Sequence, residues 1–131
     1  MKDLSDTVPT IPTGVPGLDE LISGGFPKGR VILIIGGPGS GKTILASQFL
    51  YKGLSEFNEN GLIIGLDEGK KHYYDEMNRF GWNFEKAEQE GKFAYIDATK
   101  ISRIAILKEK MLKEETNSLR GKELQIDKLI E

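Results

Sequence analysis

Residues 30–50 read RVILIIGGPGSGKTILASQFL. From Arg30 to Ile35 the residues are mostly β-branched and apolar, without the alternation of a strand that has one face in water. This run predicts a strand that is covered on both faces, as in a parallel sheet. Glycines then interrupt the sequence, and a helical pattern of apolar residues begins at Lys42 and continues to Gly53. The order of strand, glycine loop and helix indicates an α/β fold.

Two more segments have the composition of buried strands. They are Gly61–Leu66 and Phe93–Ile96, and a helical pattern follows each of them. Alternating strands and helices predict βαβ crossovers and a parallel sheet with flanking helices. Because three strands make only a thin sheet, we expect residues 13–131 to be part of a larger α/β domain. Residues 1–12, which carry prolines, are expected to form an extended lead-in.

Start and stop signals predict the ends of several helices. Asn83 is expected to cap a short acidic helix that stops at Gly91, and Ser102 to begin a long one. A further helix is predicted from about Lys122. Apolar side chains at helical spacing are expected in the core, namely Tyr73, Met77, Phe80 and Trp82. In the last helix Leu124, Leu129 and Ile130 form an apolar stripe, so residues beyond about 100 should be either disordered or packed against another copy or fragment.

Composition excludes several classes of function. The 131 residues include 18 Lys and Arg, 20 Asp and Glu, and no cysteine. Disulfides, thiolate catalysis and cysteine-ligated metals are therefore excluded. The slight negative charge gives no support for nucleic acid as a partner. The longest apolar run, Val31–Ile35, is far shorter than the roughly 20 residues that a membrane span needs. We expect a soluble, cytoplasmic, globular protein without a membrane partner.

The glycine-rich segment Gly36–Thr43 fits the pattern G-x-x-x-x-G-K-[ST]. Its glycines let backbone N–H groups converge on phosphate oxygens at the start of a helix. We expect Lys42 to reach the β- and γ-phosphates and the Thr43 hydroxyl to ligate Mg²⁺, so that the cofactors are ATP and Mg²⁺. A dinucleotide-binding G-x-G-x-x-G pattern fails, since Lys42 stands where the last glycine is needed. The predicted nucleotide-binding residues are Gly36, Gly37, Pro38, Gly39, Ser40, Gly41, Lys42, Thr43 and Ile44.

Three segments near this loop have distinctive sequences: GVPGLDEL at Gly14–Leu21, GGFPKGR at Gly24–Arg30 and RFGWNF at Arg79–Phe84. Together with the loop they resemble the KaiC-type ATPases of the RecA/RadA superfamily, and the resemblance covers residues 11–98. It implies a RecA-like P-loop core that binds ATP and Mg²⁺. It also implies a homo-oligomer, a ring or filament, in which a neighbouring subunit sets a cation against the nucleotide. The Walker B strand, which holds Mg²⁺, is expected beyond residue 131.

Acidic residues follow two of the predicted strands. Asp67 and Glu68 follow the second strand, and the carboxyl ends of parallel strands open onto the ligand crevice. A carboxylate there can activate the water that attacks the γ-phosphate. The resemblance places an acidic pair here and favours Glu68. Asp67 is shorter than the glutamate usual at the first position of this pair, so both residues remain candidates for activating water. The alternative is that they are solvated loop acids without a catalytic role. Asp97 has the form of a Walker B acid, whereas the resemblance favours an ordinary acid at a strand end.

The sequence therefore predicts a KaiC/RadA-like P-loop ATPase that hydrolyses the β–γ phosphate bond in the complete protein, with Glu68, Asp67 and Lys42 as its catalytic residues. The alternative is a nucleotide-binding regulatory or interaction module without turnover, and a DNA-dependent motor is a third hypothesis. A further protein partner is expected but not identified. His72 is expected to be a solvated residue. Arg79 is a candidate for a weak contact with the adenine.

Overall fold

In the computed structural model of the chain, the backbone is described for residues 8–130, and the side chains for residues 8–117 except Ser102. The elements in chain order are β1 (Thr10–Ile11), α1 (Leu18–Leu21), β2 (Phe26–Pro27), α2 (Lys42–Glu56), β3 (Gly61–Gly65), α3 (Lys70–Asn78), α4 (Phe84–Gln89), β4 (Phe93–Asp97) and α5 (Thr99–Ile130). The order confirms an α/β architecture.

The parallel sheet is formed by β3 and β4. Gly61 lies opposite Phe93 and Gly65 lies opposite Asp97. Both predicted strands are therefore present, and α3 and α4 make the crossover between them, as a parallel pair requires. A separate antiparallel pair joins β1 to β2. This pairing was not predicted from the proline-containing lead-in, although its extended backbone was.

The core is built mainly from aromatic side chains of the crossover and β4. Tyr73, Tyr74, Phe84, Phe93 and Tyr95 are buried, with ring centroids of neighbouring pairs about 5–6 Å apart. Aromatic pairs at such distances add stability beyond the area that they bury. The core therefore holds β4 against α3 and α4, at the edge where the acidic residues lie.

The predicted strand at Val31–Ile35 is wrong as a paired strand. The segment is not hydrogen-bonded into either sheet, and Val31 is 98% exposed. A strand is stabilised by its ladder of hydrogen bonds, and no described strand lies beside this segment to supply one. Leu62 and Ile64 on β3 are exposed as well. The expected sheet of three strands is thus a sheet of two.

Two helix boundaries also differ from the predictions. The helix that starts at Lys42 does not stop at Gly53 but runs on to Glu56. Gly53 is buried and packs against Glu59, so its small size serves packing there instead of ending the helix. The long helix starts at Thr99 and not at Ser102, and it continues to Ile130 without a second start near Lys122.

Most of the expected core residues are confirmed, and one is not. Tyr73 and Met77 are buried, and Trp82 is half-buried against the core. Phe80, in contrast, is exposed and stacks on Trp82 with ring centroids 5.0 Å apart. The chain leaves α3 at Asn78, so Phe80 no longer lies on the buried face of that helix. Asn83 caps α4 as predicted, because its side chain accepts a hydrogen bond from the Lys86 N–H at 3.0 Å.

The apolar stripe predicted at the end of α5 lies outside the side chains that the structure describes. It comprises Leu124, Leu129 and Ile130. The described part of α5 exposes apolar side chains of its own, among them Ile101, Ile104, Leu107 and Met111. The expected packing of this helix against another copy or fragment stays a prediction.

Candidate nucleotide-binding site

The glycine loop leads directly into the first turn of α2. Gly41 is the residue before the helix, and its φ of 92° lies in the left-handed region that favours glycine. No side chain caps the helix at this end. The first N–H groups of α2, which belong to Lys42, Thr43 and Ile44, therefore have the arrangement in which helix ends bind anions.

Lys42 folds back over the loop that precedes it. Its Nζ donates a hydrogen bond to the Gly36 carbonyl oxygen at 2.5 Å. A side chain on Gly36 would collide with Ser40, since an added Cβ would lie 2.3 Å from the Ser40 Oγ. The Lys42 ammonium group thus lies against the first residue of the loop, and the residues present fit a bound phosphate.

A cleft of about 1020 Å³ lies between the start of α2 and the carboxyl end of β3. Lys42, Thr43 and Ile44 line one wall, and Asp67 and Glu68 line the other. The structure therefore brings together the two groups that sequence reasoning placed in one site. Among the described residues, Lys42 is the only lysine or arginine along this cleft.

Glu68 is held in place by contacts that the sequence did not indicate. The Tyr95 hydroxyl donates a hydrogen bond of 2.7 Å to the Glu68 carbonyl oxygen. This approach needs a glycine at position 65, because an added Cβ would lie only 1.9 Å from the Tyr95 oxygen. Gly65 pairs with Asp97, and Tyr95 pairs with Ile63, so Gly65 and Tyr95 are diagonal neighbours on adjacent strands. Only the register of β3 and β4 reveals this role. Gly65 and Tyr95 fix the backbone from which the Glu68 side chain enters the cleft.

The two acids differ in their surroundings. Asp67 is exposed, whereas Glu68 is partly buried. Burial raises the pKa of Glu68 above its ordinary value, and the nearby Glu76 carboxylate raises it further, while His72 opposes the shift. A carboxyl with a raised pKa is a better proton acceptor once ionised. This difference favours Glu68 over Asp67 as the group that handles a proton.

Asp97 makes local contacts at the start of α5. Its Oδ1 accepts hydrogen bonds from the Thr99 N–H at 2.9 Å and from the Thr99 hydroxyl. The Thr99 hydroxyl, and then the Thr99 N–H, hold the pKa of Asp97 below its usual range. Asp97 is exposed and is not among the residues that line the cleft. These contacts are typical of an ordinary acid that ends a strand and precedes a helix, here β4 and α5.

His72 and Arg79 both have exposed side chains. Arg79 is not among the residues lining the cleft, so a contact with a nucleotide base stays a prediction. His72 does line the cleft, and its Nε2 lies 3.4 Å from a Glu68 carboxylate oxygen. This proximity was not predicted from the sequence, although the spacing of four residues between His72 and Glu68 permits it.

A buried hydrogen bond connects the two walls of the cleft. The hydroxyls of Ser47 on α2 and Tyr73 on α3 lie 2.6 Å apart, and both side chains are almost completely buried. Burial is the main cause that raises the pKa of Tyr73 to about 12, with the Ser47 hydrogen bond opposing it. The helix that carries Lys42 and the helix that follows Glu68 are thereby joined at one point.

The segment that precedes the loop is fixed by Asp19. Its carboxylate accepts hydrogen bonds from the backbone N–H and the hydroxyl of Thr13, at 3.0 and 2.5 Å to Oδ1. Thr13 is fully buried. The Gln48 side chain donates to the Gly14 carbonyl oxygen at 3.3 Å and so ties this segment to α2. Asp19 and Gly14, both in the GVPGLDEL sequence, thus hold this segment in place beside α2.

The profile of the family described as "ATPase: KaiC" matches residues 11–130. The chain belongs to the KaiC ATPase family. A UPF0273 protein of Methanocaldococcus jannaschii is 48% identical over 88 residues, which are 67% of this chain and 36% of that protein. A UPF0273 protein of Thermotoga maritima is 46% identical over the same shares. The chain therefore spans about a third of the length of these curated relatives.

A solved structure supports the fold assignment. The crystal structure of a KaiC-like protein from the archaeon Pyrococcus horikoshii matches with a TM-score of 0.67 and 44% identity. The match covers 78% of this chain and 47% of that chain. The expected RecA-like P-loop core with flanking helices is thereby confirmed, and the family assigns a nucleotide-binding, ATPase type of domain. Across the described helices, none has the length and apolar character needed to cross a bilayer.

Proposed function

We propose that this chain binds ATP with Mg²⁺ in the cleft between α2 and β3. The observation that carries the proposal is the uncapped start of α2, with Lys42 inside the preceding loop and Glu68 on the facing wall. Lys42 would exchange its bond to the Gly36 carbonyl oxygen for phosphate oxygens. The N–H groups of the first turn would bind the same phosphates, and Thr43 would hold Mg²⁺. When bound, Mg²⁺ neutralises charge on the phosphates.

For hydrolysis we propose that Glu68 orients and deprotonates the attacking water. Its partial burial and its place at the carboxyl end of β3 support this role over that of Asp67. Lys42 is the only lysine or arginine that the described cleft contains. Turnover at the β–γ bond is therefore proposed for the complete protein, in an oligomer where a neighbouring subunit adds a second cation.

The experiment compares the ATP affinity of Lys42→Ala with that of the parent chain by calorimetry. We expect a loss of at least about tenfold, because a hydrogen bond to a charged group contributes about 1.5–3 kcal/mol. Lys52→Ala is the matched control, since Lys52 lies on the same helix and pairs with Glu56 at the surface. Equal affinities for all three proteins would refute the site.

Glu68→Gln and Asp67→Asn separate binding from turnover. If Glu68 activates water, Glu68→Gln lowers the ATP hydrolysis rate of the complete protein and keeps the ATP affinity. Asp67→Asn should then have the smaller effect on that rate. An unchanged rate in Glu68→Gln would contradict the assignment, and tight binding without any turnover in the parent protein would favour a regulatory module.

A further inference from the structure

A second group of side chains stands at the mouth of the cleft. Glu68, His72 and Glu76 each offer one ligand atom, and the three atoms all lie within 4.8 Å of one another. His72 and Glu76 are four residues apart on α3 and so share one face of that helix. Glu68 comes from the turn before the helix. Two elements of the chain thus direct an imidazole and two carboxylates toward one point.

The distances in this group are those of metal ligands and not those of good hydrogen bonds. The His72 Nε2 lies 3.4 Å from a Glu68 oxygen and 3.8 Å from a Glu76 oxygen. Both separations exceed the usual length of an N–H···O hydrogen bond. Two ligands of a tetrahedral Zn²⁺ ion, each about 2.0–2.1 Å from the metal, lie about 3.4 Å apart. The two distances from His72 are within a few tenths of an ångström of that value, and the two carboxylate oxygens lie within 4.8 Å of each other.

The charges also suit a divalent cation. Glu68 and Glu76 place two carboxylate oxygens within 4.8 Å of each other, and Glu68 is partly buried. Within the described residues, the ion pairs of both carboxylates are formed with His72 alone. Two carboxylates and a neutral imidazole would balance a charge of two and leave a coordination position open to water.

We propose that Glu68, His72 and Glu76 form a binding site for a transition-metal cation of the Zn²⁺ class. The imidazole excludes Mg²⁺ as the preferred ion, because Mg²⁺ requires six oxygen ligands in near-ideal octahedral geometry. Its three ligands do not include Thr43, which we propose as the residue that holds Mg²⁺. Its consequence rests on the proposed function: a metal on Glu68 occupies the carboxylate that activates water and so inhibits hydrolysis without displacing ATP.

The test is a Zn²⁺ titration of the 131-residue chain by calorimetry, without nucleotide. We expect one Zn²⁺ per chain. Both His72→Ala and Glu76→Gln should weaken Zn²⁺ binding at least about tenfold, because even the loss of a residue that only hydrogen-bonds to a metal ligand typically costs that much affinity. Asp75→Asn is the matched control, because Asp75 is an exposed acid on the same helix. Co²⁺ in place of Zn²⁺ adds a visible absorption that reports the coordination geometry of the bound ion.

The outcomes are distinct. The site is supported if the chain binds one Zn²⁺ and if both ligand variants, but not the control, weaken that binding. Absence of binding at micromolar Zn²⁺, or binding that either ligand variant leaves unchanged, overturns it. Because the titration uses no nucleotide, it does not depend on whether the Lys42→Ala experiment succeeds. Inhibition is tested afterwards on the hydrolysis rate of the complete protein. Zn²⁺ should lower the rate of the parent, and it should leave the rate of His72→Ala at the value that this variant has without Zn²⁺.

Discussion

Removing the hydroxyl of Tyr73 should destabilise the chain far more than the loss of one oxygen suggests. Ser47 and Tyr73 are 1% and 2% exposed, and their oxygens lie 2.6 Å apart. In Tyr73→Phe the Ser47 hydroxyl stays buried and loses its partner, which costs about 1–3 kcal/mol of unfolding free energy. Ser47→Ala leaves the Tyr73 hydroxyl in the same state, and we expect a similar cost.

The double variant shows whether the two hydroxyls act as a pair. Because Ser47→Ala with Tyr73→Phe removes both polar groups, its cost should fall below the sum of the two single costs by about 0.5–3 kcal/mol. The measurement is urea unfolding followed by the fluorescence of Trp82. With a slope of about 1–3 kcal/mol/M, each single variant should move the midpoint by roughly 1 M.

An exposed serine on the same helix provides the control. Ser55 is exposed on α2, so Ser55→Ala should change the unfolding free energy by no more than about 0.5 kcal/mol. Costs that simply add in the double variant would show that the two walls of the cleft are not joined by this hydrogen bond. A Tyr73→Phe variant as stable as the parent would show that the buried Ser47 hydroxyl does not depend on this partner.

Two further predictions concern other parts of the chain. Asp19→Ala should lower the unfolding free energy by about 1.5–3 kcal/mol, measured by urea unfolding, because the buried Thr13 loses a charged acceptor; Asp19→Asn should retain part of it. Hydrogen bonds from Lys70 and then Tyr74 hold the pKa of Glu88 below its ordinary 4.5. Their stabilisation is therefore present above about pH 4.5 and is lost as the pH falls through the lowered folded-state pKa. Glu88→Gln should flatten the acid side of the stability curve, and an unaltered curve would contradict this.

Local sequence signals predicted the parts of the fold that local interactions determine. The cap at Asn83 and the helix that begins at Lys42 depend on neighbouring residues, and both are confirmed. The state of Val31–Ile35 depends instead on which strand lies beside it, and composition alone does not specify a neighbour. Phe80 was mispredicted for a different reason. Its spacing matches the buried face of α3, but the helix ends two residues before it.

The part of the candidate site that lies within one motif was predicted. The part that is formed by residues distant in sequence was not. Lys42 and Thr43 could be identified because the loop pattern has a fixed spacing. The support of Glu68 by Tyr95 could not, since 27 residues separate them and only the register of β3 and β4 brings them together. The approach of Glu76 and His72 to Glu68 likewise needs the turn at Gly69, which no periodicity indicates.

The parallel pairing of β3 and β4 has a consequence for how the cleft is assembled. Every pair in this ladder joins residues about 32 positions apart, as Gly61 with Phe93. Closing such a loop costs roughly 3 kcal/mol of chain entropy, and the first pair bears that cost for all the others. The wall that carries Glu68 therefore forms as one cooperative unit. Among the described residues, no backbone hydrogen bond extends from this unit to α2. The wall that carries Lys42 is thus attached through side chains, and the spacing between the two walls is set by packing and not by a hydrogen-bonded ladder.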